Sequence, residues 1–397
     1  MHVRWLIALS LACSCAAQDY VVQNSGTAEN LRGVSAVSNK VAWASGTHGT
    51  YLRTLDGGNS WQAAQVPRAE GLDFRDVEAF SADAAYLLSA GPGEQSQIYK
   101  TTDGGKHWTL QFTNRDAKGF FDCMAFWDRA HGIALGDPID GKFELITTDD
   151  GGKHWKQISP GRIPAAVEGE GAFAASGTCI AVQGKANVWF GTGGKVARVF
   201  RSTDRGKIWI VAETPIAHGN ESSGIFSVAF RDAQHGVIAG GDYKHPEQGG
   251  RNLARSDDGG RTWNLWEIAP QSYFSAVAFD PQHGLLAVGA AHAGYTDDIR
   301  TKNWVRYSDL DLNAVSLDPT GEAVAVGAKG LVVRFSRPLA PRNRPWKSSP
   351  PPATQPQPSL QPDRKNLNPI RSTALMSRSK CPLRIVRDIC SRRSSMF

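Results

Sequence analysis

After its first seventeen residues the sequence has no long apolar run, and it keeps only four cysteines: Cys123, Cys179, Cys381 and Cys390. The missing run excludes a membrane helix. Four cysteines in 397 residues are too few to build a disulfide scaffold. The folded part also lacks an excess of positive charge. The formal net charge is +6, but Pro338 to Phe397 alone carries twelve Lys/Arg against two Asp/Glu, a net of +10, which leaves −4 for the preceding 337 residues. A mildly acidic body offers no basic groove to DNA or RNA, so no nucleic-acid partner is expected. Only the basic tail is suited to anionic surfaces.

The seventeen leading residues read as an export signal. Arg4 supplies the charged start, Trp5 to Ala12 the short apolar stretch, and Ala16-Ala17 the small residues before a cut. Cys13 and Cys15 raise a lipid anchor as the alternative, but neither follows a clear Leu-x-small tripeptide. The expected location is periplasmic or extracellular. After Arg337, eleven prolines in sixty residues, among many Arg and Ser, predict a disordered tail over 338–397. Residues 18–337 are left as one domain.

What is abundant is glycine, with forty-one residues, and tryptophan, with twelve, which points to tight turns around aromatic packing. Five segments share the pattern Ser/Thr-x-Asp-x-Gly-x-x-Trp. They start at Thr54, Thr101, Thr148, Ser202 and Ser256, at steps of 47, 47, 54 and 54 residues, and a degenerate sixth spans Thr296 to Trp304. Each copy sits between two apolar runs and reads as a hairpin loop. Its Asp (Asp56, Asp103, Asp150, Asp204, Asp258) accepts backbone N–H bonds of its own turn. Its glycine allows the φ > 0 corner. Its Trp (Trp61, Trp108, Trp155, Trp209, Trp263) folds back as an apolar plug. These residues are structural.

Upstream of each box lies an alternating strand, a turn, then a strand ending in small residues. This unit occurs seven times, beginning near Leu31, Phe74, Phe121, Thr178, Ile225, Phe274 and Leu312. Each repeat thus holds four strands, the size of one propeller blade. The seventh copy stops at Phe335 without a fourth strand, while Tyr20 to Gln23 supplies a surplus strand ahead of the first. The predicted fold is an all-β, seven-bladed β-propeller closed by pairing 20–23 with 331–335, which leaves no open edge.

At these motifs the sequence resembles the Asp-box (BNR repeat) propellers, a set that includes sialidases, sortilin-type receptors and xyloglucan hydrolases. It is more similar to the photosystem II stability/assembly-factor-like family. Segments of that family read much like GIALGDPIDGKF, GEGAFAASGTC, VWFGTGG and GVIAGGDY at 132–143, 169–179, 188–194 and 236–243. The likeness covers roughly residues 20 to 336, and one propeller hosts many functions. It implies an assembly-factor-like binding scaffold, expected to be a monomer, with a protein partner or a glycan on its loop face. In photosynthetic members an arginine-rich patch is credited with partner binding; here the arginines are scattered.

In propellers the loops entering the innermost strands share a face with those joining strands two and three, opposite the box loops. On that face blade three offers Asp137, the loop into blade four Arg162, Glu168 and Glu170, blade four Lys195 and Arg198, and blade five Asp242 and Tyr243. A second constellation comes from aligning the seven units on their turns. One position reads Gly33, Asp76, Cys123, Cys179, Ser227, Ser275 and Asn313, preceded in three blades by Arg32, Arg75 and Asp122. Small or polar residues here fit either crowding at the axis or a polar mouth that binds a ligand. Cys123 and Cys179 are expected to be neighbours rather than bonded, because innermost strands of adjacent blades are unpaired and diverge from the axis.

If the chain were an enzyme it would be a glycoside hydrolase, with Asp137, Glu168, Glu170 and Asp242 as the pool for its acid and base. Such a pair stands about 5–5.5 Å apart for retention or about 6.5–9.5 Å for inversion. Other signals fail. Arg162-Ile163-Pro164 follows the third box, whereas sialidases place Arg-Ile-Pro before the first. His131, His235 and His283 recur at the same turn of different blades, which keeps them apart, so no metal site is expected. GTGGK at 191–195 lacks the spacing and the Ser/Thr of a phosphate loop. No cofactor is expected.

Overall fold

The computed structural model describes residues 20–335, except 268–269, 271, 283, 291 and 301–303. The export signal and the tail lie outside the described residues, as does His283.

The described residues form seven antiparallel sheets. Blade one runs from Leu31–Ala36 through Ala42–Gly46 and Thr50–Thr54 to Gln62–Gln65, and blades two, three and six follow the same meander. The innermost strands of the later blades are Phe74–Ala79, Phe121–Phe126, Ile180–Gln183, Ser223–Phe230, Ala276–Phe279 and Ala314–Leu317. Blade seven takes its outermost strand from the start of the chain. Tyr20 pairs with Phe335, Val21 with Arg334, Val22 with Val333 and Gln23 with Val332. The closure expected from the repeat count is therefore present. Gln23 locks it to blade one, donating to Gly57 O at 3.1 Å and accepting from Trp61 Nε1 at 2.9 Å.

A sheet buries both faces when blades pack side by side. The apolar residues accordingly divide into seven clusters among the described residues, each straddling two adjacent blades. Tryptophans of the boxes plug these gaps. Trp209 is 5% exposed between blades three and four, and Trp61 and Trp263 are each 8% exposed. Trp108 and Trp155 are only half-buried.

The five box loops share one hydrogen-bond pattern. In the second, Thr101 Oγ1 donates to Asp103 Oδ1 (3.0 Å) and accepts from Gly105 N (2.9 Å), while Asp103 Oδ1 also accepts from His107 N (3.0 Å). The loops from Thr54, Thr148, Ser202 and Ser256 repeat it. The leading hydroxyl is thus as much a part of the box as the carboxylate. Three of the loops also receive an aromatic donor of the preceding blade: Tyr51 OH donates to Gly105 O, Tyr86 OH to Gly151 O and Trp189 Nε1 to Gly259 O, at 2.7–2.8 Å.

Candidate functional site

The aligned ring position ties blades together. Met124 N of blade three donates to Asp76 Oδ2 of blade two (2.7 Å). Cys123 and Cys179 join blades three and four as a disulfide, with Cα atoms 6.1 Å apart. Beside Cys179, Thr178 Oγ1 donates to Ser227 Oγ of blade five (2.8 Å), which accepts from Val277 N of blade six (3.0 Å). Ser275 Oγ donates to Leu312 O ahead of blade seven (3.0 Å), and Asn313 Nδ2 to Leu31 O of blade one (2.8 Å). Gly33 closes the circle, since a Cβ there would stand 3.1 Å from Asp76 Cα. The expectation that the two cysteines are unbonded neighbours is corrected. The shared register at the starts of the two strands brings the Cα atoms inside the window of about 4.4–6.8 Å that a disulfide needs.

The mouth of this ring is crossed by residues 171–178, the GAFAASGT segment leading into blade four. Ala172 N donates to Asp137 Oδ1 of blade three (2.9 Å), and Ala174 O accepts from Arg75 Nη1 of blade two (3.0 Å). Phe173 stacks on Phe226 of blade five, ring centroids 4.0 Å apart, and Ser176 Oγ donates to Ser275 O of blade six (2.9 Å). A segment that touches four other blades in this way lies over the axis. Its glycine is obligatory: Gly177 has φ +76°, and a Cβ there would collide with the Asp76 carboxylate.

The expected sector of blades three to five does converge, held largely by backbone. Glu170–Gly171 pairs with Gly193–Gly194, and Gly193 with Gly224, which extends blade five to six strands. Glu170 is 5% exposed and fully engaged. Arg198 grips it through Nε (2.9 Å) and Nη2 (2.5 Å), Thr192 Oγ1 donates at 2.6 Å and Val167 N at 2.8 Å. Asp242 accepts from Ser222 Oγ, Lys244 N, His245 Nδ1 and Asn220 Nδ2. Burial would raise its pKa, but the bonds from Ser222, His245, Asn220 and Lys244 prevail and hold it below the usual carboxylate range. Tyr243 meets Phe226 edge-on. Arg162, Glu168 and Lys195 are exposed.

The inner strands carry a second set of charges to the mouth. Arg75 Nε donates to Asp73 Oδ2 (2.7 Å). Arg32 is buried, and its charge is disfavoured by burial and by the neighbouring Arg75, while Asp73, Tyr273 and Asp311 favour it. Asp122 is 1% exposed; burial and the charge of Asp137 push its pKa well up, against the pull of Arg75. Burial likewise raises Asp76, with the carboxylate of Glu78 adding and hydrogen bonds from Met124 N and Val77 N opposing.

His131 and His235 each bond the Asp of their own turn, Asp128 and Asp232. Among the described residues no three His, Cys, Asp or Glu side chains are grouped to hold a metal ion. The residues missing from the sequence reading are those of segment 171–178, a strap over the channel, and of its seat: Phe173, Ser176, Phe226 and Tyr273, whose ring meets Phe226 edge-on. One signal for them is in the sequence. The steps between boxes lengthen from 47 to 54 residues beyond the third box, and much of the first increase falls in the loop into blade four.

No protein-family model matches the chain, and no curated protein matches it either. Solved structures do. One is "YCF48 bound to D1 peptide", with a TM-score of 0.60 and 14% identity over 81% of this chain and 96% of that one. YCF48 from Cyanidioschyzon merolae matches with a TM-score of 0.55 and 17% identity, over 80% of this chain and 98% of that one. The GH74 xyloglucanase from Xanthomonas campestris matches with a TM-score of 0.55 and 16% identity, over 82% of this chain but 55% of that one. The resemblance drawn from the repeats thus holds at the level of fold: the chain is a seven-bladed β-propeller, built like YCF48 and the GH74 propellers.

Proposed function

We propose that this chain is an exported, non-enzymatic scaffold that holds a protein partner on the face where the innermost strands begin. One observation carries the reading. Of the four carboxylates that a hydrolase would draw on, Glu170, Asp242 and Asp137 are engaged in fixed hydrogen bonds within the fold, and Glu168 alone is exposed. A general acid or base has to exchange its proton with a substrate at hydrogen-bond range. A carboxylate whose oxygens are already taken by a buried Arg or by several N–H and O–H donors is not free to reach a substrate proton. Around these fixed groups the strap and the knitted loops make a rigid platform, rimmed by the charges of Arg162, Glu168 and Lys195. A protein of the same fold, YCF48, is bound to a D1 peptide, which supports a peptide or protein as the occupant. The Cys123–Cys179 bond supports an oxidising compartment and so export.

The test is a pull-down from the native envelope fraction with the wild-type chain and an Arg162→Glu/Lys195→Glu double variant. A defined partner retained by the wild type and lost by the variant is expected. Release of reducing ends from xyloglucan or a related glycan by the purified chain would overturn the reading.

A further inference from the structure

Resting on that reading of the loop face, we infer that Arg32 is the anchor of a carboxylate-binding site at the mouth of the central channel. Arg32 stands at the start of the innermost strand of blade one and is 9% exposed. Among the described residues no hydrogen bond or ion pair reaches its guanidinium, and its Nε is buried with no partner. The other buried arginine among the described residues is occupied, Arg198 holding Glu170 and Ala165 O, and the half-buried Arg75 beside Arg32 holds Asp73 and Ala174 O. A buried, unanswered guanidinium is costly, because desolvation removes water from its N–H donors and nothing replaces it.

The surroundings show what belongs there. Arg32 interacts electrostatically with Arg75 and Asp73 at the entry to blade two, Tyr273 at the entry to blade six and Asp311 at the entry to blade seven. Groups at the entries to three other blades thus lie near enough to act on its charge, which sets the guanidinium at the mouth of the channel. The two anions among them leave it unpaired. Asp73 gives only its Oδ2 to Arg75 and its Oδ1 is buried without a partner, yet it makes no ion pair with Arg32; Asp311 is exposed and makes none either. Asp122, which also feels the charge of Arg75, has its pKa raised by burial and by Asp137 and makes no ion pair with Arg32. The strap is fixed by Arg75 rather than by Arg32, so it leaves the Arg32 donors free. A planar guanidinium with two parallel N–H groups matches a carboxylate bidentately, which a spherical anion does not. The same chemistry is offered by a free small acid, by an Asp or Glu side chain, and by a chain end.

The experiment uses the full-length protein and three probes, measured calorimetrically against sodium chloride at equal ionic strength. They are sodium acetate, a neutral octapeptide with one Glu and an amidated end, and an octapeptide without acidic side chains but with a free C-terminus. Saturable binding of at least one probe is expected, and which one identifies the source. Arg32→Gln and Arg32→Lys should each weaken it about tenfold or more, the lysine because it keeps the charge but loses the fork. Asp311→Asn, at an exposed position, should tighten it severalfold by removing a competing anion, and it stands as the test if the Arg32 variants fail to fold. No binding above chloride in the wild type, or equal affinity in wild type and Arg32→Gln, overturns the site. A partner that binds the wild type and Arg32→Gln equally would do the same and leave the scaffold reading intact.

Discussion

Cys123 and Cys179 are bonded across the gap between blades three and four, their Cα atoms 6.1 Å apart at the starts of the two innermost strands. The neighbouring gaps at this level are bridged by hydrogen bonds, such as Met124 N to Asp76 and Val277 N to Ser227. The covalent tie therefore holds the ring at the point where the strap over the channel ends.

The bond joins residues 56 apart in sequence. Closing a loop of that length in the unfolded chain stabilises the fold by about 4 kcal/mol on the chain-entropy account. A Cys123→Ser/Cys179→Ser variant should melt well below the wild type, and dithiothreitol should lower the melting temperature of the wild type but not of the variant. Equal melting of reduced and oxidised wild type would refute the tie.

Acid should attack the box loops first. The Ser60 hydroxyl and N–H hold Asp56 down to about 2, and the N–H and ring of His107 hold Asp103 down to about 2. An Asp whose folded pKa is depressed contributes stability that is complete above its unfolded value, about 3.9, and lost as pH falls through the folded value. Stability should therefore fall between about pH 4 and pH 2, and Asp56→Asn with Asp103→Asn should flatten that slope. Denaturant midpoints measured across this range check it; an unchanged slope in the variant contradicts the assignment.

Among the box tryptophans, burial sets the cost of truncation. Trp209, packed against Phe190 in the cluster between blades three and four, should cost roughly 3–5 kcal/mol when changed to Ala. Trp108→Ala should cost less, since its ring is only half-buried. Urea unfolding of both variants decides it, and a larger loss for Trp108 would be the contrary result.

Glu170→Gln should destabilise by roughly 3–5 kcal/mol, because it leaves the buried Arg198 without its counter-charge. The loop from Ala165 to Ala172 should then exchange its amide protons faster, as Arg198 also holds Ala165 O and Glu170 holds Val167 N. Exchange as slow as in the wild type would mean that the loop is held by its backbone pairs alone.

Blade number, box loops and ring closure were legible in the chain because each is a local device repeated at a fixed period. Thr101, Asp103, Gly105 and Trp108 act within eight residues, and the strand Tyr20–Gln23 was needed as soon as the last repeat proved one strand short. The ring position of Asp76, Cys123 and Ser227 was likewise found by period alone. Its meaning was not, since whether such a residue faces a ligand or the next blade depends on how closely the blades approach. That distance put a bond between Cys123 and Cys179 and a Met124 N–H against Asp76. The strap is the clearest case. Phe173 meets Phe226, and Ser176 meets Ser275, across 53 and 99 residues of chain, with no repeat to announce it. Periodicity determined the propeller, whereas tertiary contacts decided the rest: the fold of the loop into blade four spends Glu170 on Arg198, and the meeting of blade entries at the channel mouth, which the closing of the ring creates, leaves Arg32 unpartnered.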